Sequence, residues 1–154
     1  MSLLLDTNVL SESRKGPQAN ARVQLWDEET YHLDRFTSVA VIAELRKGAR
    51  TKGRKDTAAG LALNRWVDRL IANFTDRVLP IDLAVAEACA ALMVPNPRSP
   101  MDALIAATAL AHRLTLVTRN VRDFAGAGID LVDPWTFEGW RCSFCGALRL
   151  RPAC

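Results

Sequence analysis

The sequence predicts an α/β fold with a mainly parallel sheet and helices on both faces, and three observations carry that expectation. Short apolar runs alternate with longer segments of helical spacing, so strand and helix units repeat along the chain. Acidic residues recur just past those runs or in the first turns of the helices after them, where a parallel sheet presents its functional edge. At 154 residues and 49% hydrophobic content, the chain is one ordinary domain, able to bury a core without disulfide or metal staples.

The first run, Leu3-Leu4-Leu5, stops at Asp6-Thr7-Asn8. Asp6 has two readings: it caps a helix from Val9 to Arg14, or a buried strand delivers it to a site. Arg14-Lys15-Gly16-Pro17 breaks the helix, and Ala19 to Glu29 resumes helical spacing with Val23 and Trp26 on one packing face. Phe36-Thr37-Ser38 reads as a short strand leading into a helix on Val39, Ile42, Leu45 and Ala49. Glu44 falls in that helix's second turn, near the sheet's carboxyl edge, where the helix dipole also favours a plain solvated acid.

Arg46, Lys47, Arg50, Lys52, Arg54 and Lys55 place six cations in ten residues. That density suits the phosphate backbone of a nucleic acid, and the two glycines and missing apolar anchor suit a solvated loop equally. Leu63, Trp66, Val67, Leu70, Ile71 and Phe74 keep the spacing of a long amphipathic helix that covers the sheet or offers a partner surface. Val78-Leu79-Pro80-Ile81 reads as a strand whose proline favours a sheet edge, and Asp82 caps an Ala-rich helix through Met93. After the break from Pro95 to Pro97, Ser99-Pro100-Met101-Asp102 opens a helix with a capping serine, a proline at the first position and an acid at the third. Asp102 is therefore both a capping candidate and a site candidate. The helix from Met101 to His112 is apolar nearly all round and should be buried, its start at the same edge as Asp6. Leu114 to Val117 is the next strand, followed by a polar turn, Thr118 to Phe124, that carries Asp123. Gly126 and Gly128 turn the chain into a last strand, Ile129 to Val132, before Asp133-Pro134-Trp135.

Cys89 stands alone, while Cys142, Cys145 and Cys154 crowd the last thirteen residues, which is no disulfide framework. Reduced thiols are expected. Cys142-Ser-Phe-Cys145 has the spacing of half a zinc knuckle, but the second pair is missing and His32 and His112 are remote, which argues against zinc. With Trp140, Arg141, Arg149 and Arg151 around it, the segment reads as a basic tail and is expected to be mobile. The net charge of +3 permits a nucleic-acid partner without demanding one. An apolar start three residues long is too short for a secretory or membrane segment, so the expected location is the cytoplasm.

Asp6, Glu44, Asp102 and Asp123 all fall at strand ends or in helix N-terminal turns, which share one sheet edge. Gathered carboxylates repel and raise one another's pKa, so the cluster calls for a hard dication with oxygen preference, Mg2+ or Mn2+. Such an ion, held by two or three carboxylates and waters, orients a phosphodiester and helps generate hydroxide.

Four ordered motifs also carry a resemblance: DTNVLSE at Asp6, AELRKGA around Glu44, PMDALIAATALAH around Asp102 and TRNVRDF around Asp123. Together they resemble PIN-domain ribonucleases, most closely the VapC and FitB toxin branch, over roughly Leu3 to Trp135. The resemblance implies a PIN domain over residues 1–135, with residues 136–154 as an added basic, cysteine-containing tail. It implies a PIN-like three-layer sandwich whose five-stranded sheet has the order 3-2-1-4-5, reversing between the strands that deliver Asp6 and Asp123. It further implies a Mg2+- or Mn2+-dependent endoribonuclease toxin that forms a homodimer, is held by an antitoxin protein, and meets DNA only through that complex. By motif, Asp6, Glu44, Asp102 and Asp123 are the acidic quartet, with Thr7, Asn8, Thr118 and Asn120 as supporting polar residues. One departure stands out: the family usually has glycine where this chain has Arg113.

Two other classes stay open. A phosphoryl-transfer or receiver-like signalling domain also gathers aspartates at parallel strand ends, although aspartyl-phosphate enzymes of the haloacid dehalogenase type want DxDxT where this chain has Asp6-Thr7-Asn8. A non-catalytic PIN-like binding module would be expected to have lost one of the acids, and none is lost.

Overall fold

Three consecutive leucines need apolar neighbours on both faces of a strand, and in the computed structural model they occupy the middle of the sheet. The structure describes residues 1–94, 97–141 and 148–149, so Cys142, Cys145, Arg151 and Cys154 lie outside the described residues. Strand β1 (Ser2–Leu5) pairs in parallel with β2 (Asp34–Ser38) on one side and β4 (Thr115–Val117) on the other. Strand β3 (Val78–Leu79) lies outside β2, and β5 (Leu131–Val132) outside β4, both parallel. The order β3-β2-β1-β4-β5 is the one expected. Leu3, Leu4, Leu116 and Val117 are fully buried at its centre.

The helices follow in turn: α1 (Thr7–Ser13), α2 (Ala21–Thr30), α3 (Val39–Gly53), α4 (Thr57–Phe74), α5 (Leu83–Leu92), α6 (Pro100–Ala111) and the single turn α7 (Val121–Phe124). With β1 and β4 adjacent and the chain leaving them in opposite directions along the sheet, the C-terminal edge between them is the topological switch point.

Several sequence expectations change in detail. The basic stretch is no loop: α3 continues through Gly53 because Val41, Leu45 and Ala49 bury one side of it, while Arg50 and Lys52 sit favourably in its last turn. Helix α3 then turns directly into α4, and the two helices cross closely at a glycine pair. A Cβ on Gly60 would lie 2.4 Å from the Gly53 Cα, so only glycine permits this approach. The α4 stripe is largely used up by this pairing and the core: Val67 is buried, and Trp66, Leu70, Ile71 and Phe74 pack partly buried against it. Strand β3 ends before Pro80, which has no N–H to extend a ladder, and it occupies the sheet edge as its proline suggested.

Helix α6 is buried as its composition requires, with Ala103, Ile105, Ala106, Ala107, Thr108 and Ala109 inaccessible. Its C-terminus keeps the left-handed cap despite lacking glycine. Arg113 has φ +54°, the Arg113 N–H donates to the Leu110 carbonyl at 3.2 Å, and the Leu114 N–H donates to the Ala109 carbonyl at 2.9 Å. That pairing is a Schellman motif, closed by the buried Leu114.

After the sheet, β6 (Trp140–Arg141) pairs antiparallel with β7 (Leu148–Arg149). Among the described residues, no helix is long and apolar enough to cross a membrane.

Candidate metal centre

At the switch point the chain leaves β1 as Asp6, and this residue does two jobs. Its carboxylate caps α1 by accepting the Thr7 N–H at 2.6 Å, and the other oxygen faces β4, accepting the Thr118 hydroxyl at 2.6 Å and the Asn8 amide at 2.8 Å. The capping and site readings of Asp6 are therefore one geometry. Thr118 is itself ordered: its hydroxyl also accepts the Asn120 N–H at 3.0 Å and the Asn8 amide at 3.1 Å. Asn8 completes the loop by accepting the Arg119 N–H at 3.1 Å. Thr7, Asn8, Thr118 and Asn120, singled out by motif, thus form one network across the β1–β4 junction.

Glu44 arrives from α3, whose start is fixed by the Ser38 hydroxyl accepting the Val41 N–H at 3.3 Å. The Thr7 hydroxyl donates to Glu44 Oε2 at 2.6 Å, tying the second acid to the residue beside the first. Asp102 sits in the first turn of α6, and Asp123 on α7. The expected capping box at Ser99 does not form: Pro100 takes the first helical position, but the Ser99 hydroxyl bonds to the Asp102 carboxylate instead of capping the backbone. Asp102 thereby interacts with Ser99 and lies within electrostatic reach of Glu44 and Asp123.

The electrostatics show that the four acids share one field. Burial pushes the Asp6 carboxyl above its ordinary range; hydrogen bonds from Thr118 and the Thr7 N–H partly offset this, and Glu44 and Asp102 add to it. Burial likewise raises Asp102, reinforced by Glu44 and Asp123 and opposed by the Ser99 hydroxyl and Arg98. Among the described residues, no three of these side chains close into a ready-made metal cage. They neighbour one another without crowding, as suits a hard ion that keeps several waters and takes one or two carboxylates directly. An all-oxygen donor set, with two members raised in pKa first by burial and then by their acidic neighbours, fits Mg2+ or Mn2+ and not a softer metal.

Helical geometry divides the six cations of the basic stretch. Arg46 is committed to α4, donating to the Asn64 carbonyl at 3.0 Å and to its side-chain oxygen at 3.2 Å, and pairing with Asp68. Arg46 still borders an open groove of about 520 Å3, which Lys47, Arg50 and Arg54 line with Ala43 and Thr51, on the helix that carries Glu44. Lys52 lies on another side, in a groove with Arg14, Trp66 and Arg69, and Lys55 is exposed in the turn before α4. Two residues that sequence reasoning passed over also belong to this edge. Arg98, just ahead of Ser99, reaches α7, and Arg119 stacks its guanidinium 5.4 Å over the Trp135 ring. The signal for Arg98 was a cation directly preceding the helix-start residues.

A parallel 3-2-1-4-5 sheet with an acidic quartet at its switch point defines a class of carboxylate-centred α/β domains. The chain belongs to the PIN-domain family, whose pattern it matches over residues 3–128. It is 34% identical over 140 residues to the VapC ribonuclease Y4jK of Sinorhizobium fredii, covering 86% of this chain and 97% of that protein. It is also 34% identical to the toxin FitB of Neisseria gonorrhoeae, covering 86% and 98%. Among solved structures, the FitAcB crystal structure from Neisseria gonorrhoeae superposes with a TM-score of 0.73 at 32% identity, covering 88% of this chain and 99% of that one. A toxin–antitoxin complex from Klebsiella pneumoniae matches with a TM-score of 0.57 at 28% identity, covering 86% and 98%.

Proposed function

We propose that this chain is a Mg2+- or Mn2+-dependent endoribonuclease and the toxin of a toxin–antitoxin pair. The observation that carries the reading is the mutual field of Asp6, Glu44, Asp102 and Asp123 at the switch point, with Asp6 and Asp102 raised in pKa by burial and by their acidic neighbours. The naming of its relatives as a ribonuclease and a toxin supports it.

Asp6, Asp102 and Asp123, with Glu44, would hold the ion. When bound, the ion supplies charge stabilisation to a phosphodiester and lowers the pKa of an attacking water. The rest of the work falls to the protein. Thr118, Asn8 and the Thr7 N–H hold the Asp6 carboxylate in one orientation and favour its charged form. The Thr7 hydroxyl fixes Glu44, leaving its other oxygen to accept a proton or a water. Lys47, Arg50 and Arg54 extend from Glu44 along α3 and bind RNA phosphates; Arg46 contributes less because Asp68 and Asn64 occupy it.

The partners follow from the same reading: an RNA substrate, a cognate antitoxin that also carries the DNA contact, and a second copy of the chain. The surface for self-association moves from the α4 stripe, which α3 partly covers, to α5. There only Val85 is buried, and Leu83 is 76% exposed, with Ile81 and Val94 also outward.

The test is RNA cleavage by the purified chain with Mg2+ or Mn2+, with and without EDTA, beside Asp6→Asn. Cleavage in EDTA equal to that with metal refutes the metal mechanism. Labelling by acetyl phosphate with no RNA cleavage favours the phosphoryl-transfer reading, and neither activity favours a binding module. Sequencing 5′ ends after induced expression identifies the RNA.

A further inference from the structure

The quartet is assembled from pieces that the fold holds unequally. Asp6 and Glu44 are tied through Thr7, but Asp123 rides on α7, a single exposed turn anchored to the core by Phe124. Among the described residues, Arg98 hydrogen-bonds from the segment just before α6 to α7. Its guanidinium donates from Nη1 to the Asp123 carbonyl at 2.6 Å and from Nη2 to the Ala125 carbonyl at 2.8 Å. Its Nε is buried with no hydrogen-bond partner, and its charge lies close enough to Asp102 to lower that acid's pKa. A surface arginine placed for solvation would not leave Nε dry, since burying an unpaired donor forfeits its hydrogen bond to water. The two carbonyl bonds dictate where this side chain sits. They also cap the negative C-terminal end of α7 with a cation, the favourable pairing for a helix terminus.

We propose that Arg98 is a positioning residue of the acidic centre: it clamps the α7 backbone against the start of α6 and so sets Asp123 at its working distance from Asp102. This rests on the metal-dependent nuclease reading, but the clamp itself is a property of the metal-free protein. Lysine can make one of the two carbonyl bonds and alanine neither. A displacement of about 1 Å at a catalytic group can cost a hundredfold in rate.

The test compares the full-length wild type with Arg98→Ala and Arg98→Lys by three readouts: amide hydrogen exchange without metal, Mn2+ binding by calorimetry, and RNA cleavage. For Arg98→Ala, exchange at Asp123, Ala125 and Ala127, whose N–H groups bond within α7 and its following turn, should quicken about tenfold. Its kcat should fall tenfold to about a hundredfold with KM within threefold, and Arg98→Lys should lie between it and wild type. Should Arg98→Ala fail to fold, Arg98→Lys is read against wild type by the same measures. A raised KM with unchanged kcat overturns the proposal and makes Arg98 a phosphate contact. Unchanged exchange in α7, or cleavage and Mn2+ affinity within twofold of wild type, overturns it outright. If wild type itself cleaves no RNA, the nuclease reading fails on its own, while hydrogen exchange still decides the clamp.

Discussion

The two aspartates that flank the switch point are held in opposite ways. Asp6 is 4% exposed, its carboxylate takes three hydrogen bonds, and the strand before it is locked between two neighbours. Asp123 is exposed on one turn of helix, and what is fixed is its main chain, by Arg98. The first is built into the sheet and cannot shift without disturbing the core; the second sits on a single turn held by Phe124 and by the bonds from Arg98. The site is therefore rigid on the β1–β4 side and adjustable on the α7 side. Stability and activity should separate accordingly.

The largest effect expected is on activity. Asp6→Asn and Asp123→Asn should each cut metal-dependent RNA cleavage by about a hundredfold or more, as should EDTA, while both variants stay folded by circular dichroism. Asp6→Asn should also alter stability, because its amide would face the Asn8 amide and lose an acceptor, whereas Asp123→Asn should leave the melt nearly unchanged. Equal melts for the two variants would erase the contrast between the two sides.

Thr118→Val tests the rigid side without touching an acid. It removes the donor to Asp6 and the acceptor for Asn8 and Asn120, leaving buried polar groups unpaired, and should cost about 2 kcal/mol in urea denaturation. A loss below a few tenths would mean that water replaces the hydroxyl.

Charge comes next. Asp6 and Asp102 both have pKa values raised above 3.8 in the folded protein. For an acid with that shift, the folded state binds its proton more tightly than the unfolded chain does. The stabilisation is then full below the unfolded value and is lost as pH rises through the raised one. Metal-free protein should therefore lose stability from these two groups above pH 3.8, and saturating Mn2+ should restore it at neutral pH. Asp102→Asn should stabilise the metal-free protein by about 1 kcal/mol at most, since solvent screens this half-exposed acid. Wild type should gain about 2.7 kcal/mol at a hundredfold excess of Mn2+ over its dissociation constant, and the variant less at the same concentration. An unchanged metal shift would make Asp102 an acid of the first helical turn favoured by the helix dipole only.

The smallest effect lies at the far end of α6, where no chemistry is expected. Arg113→Gly removes a left-handed penalty of about 1 to 2 kcal/mol and adds back about 0.5 to 1 kcal/mol of unfolded-chain entropy, a net gain of about 0.5 to 1 kcal/mol. Cleavage should be unaffected; a change in kcat would show that the two ends of α6 communicate.

The parts of this architecture that were readable before any coordinates are those with local causes. Leu3-Leu4-Leu5 had to be a buried strand, Asp82 had to start a helix, and α6 had to be covered, because alternation, capping residues and continuous apolarity act over a few residues. Four acids in four motifs were assigned to one edge because parallel strands put all their C-termini there. The basic stretch reads as a possible loop for the same reason in reverse: its few nearby apolar positions, Leu45 and Ala49, are enough for a helix only because the core receives them and α4 packs alongside at Gly60.

By itself, then, the sequence determined the alternation of strands and helices, the edge that carries the acids and the residues that support Asp6. Only the tertiary structure decided which acid is buried and which exposed, that Arg98 reaches from the residues before α6 to α7, and that the six cations divide among two grooves, a bond to α4 and an exposed turn. It also decided that α5 and α6, both Ala-rich and apolar, differ in fate, one with a single buried residue and the other with six. Composition and spacing describe what a segment can bury; what it does bury depends on contacts between residues far apart in the chain, and those form only when the whole fold closes.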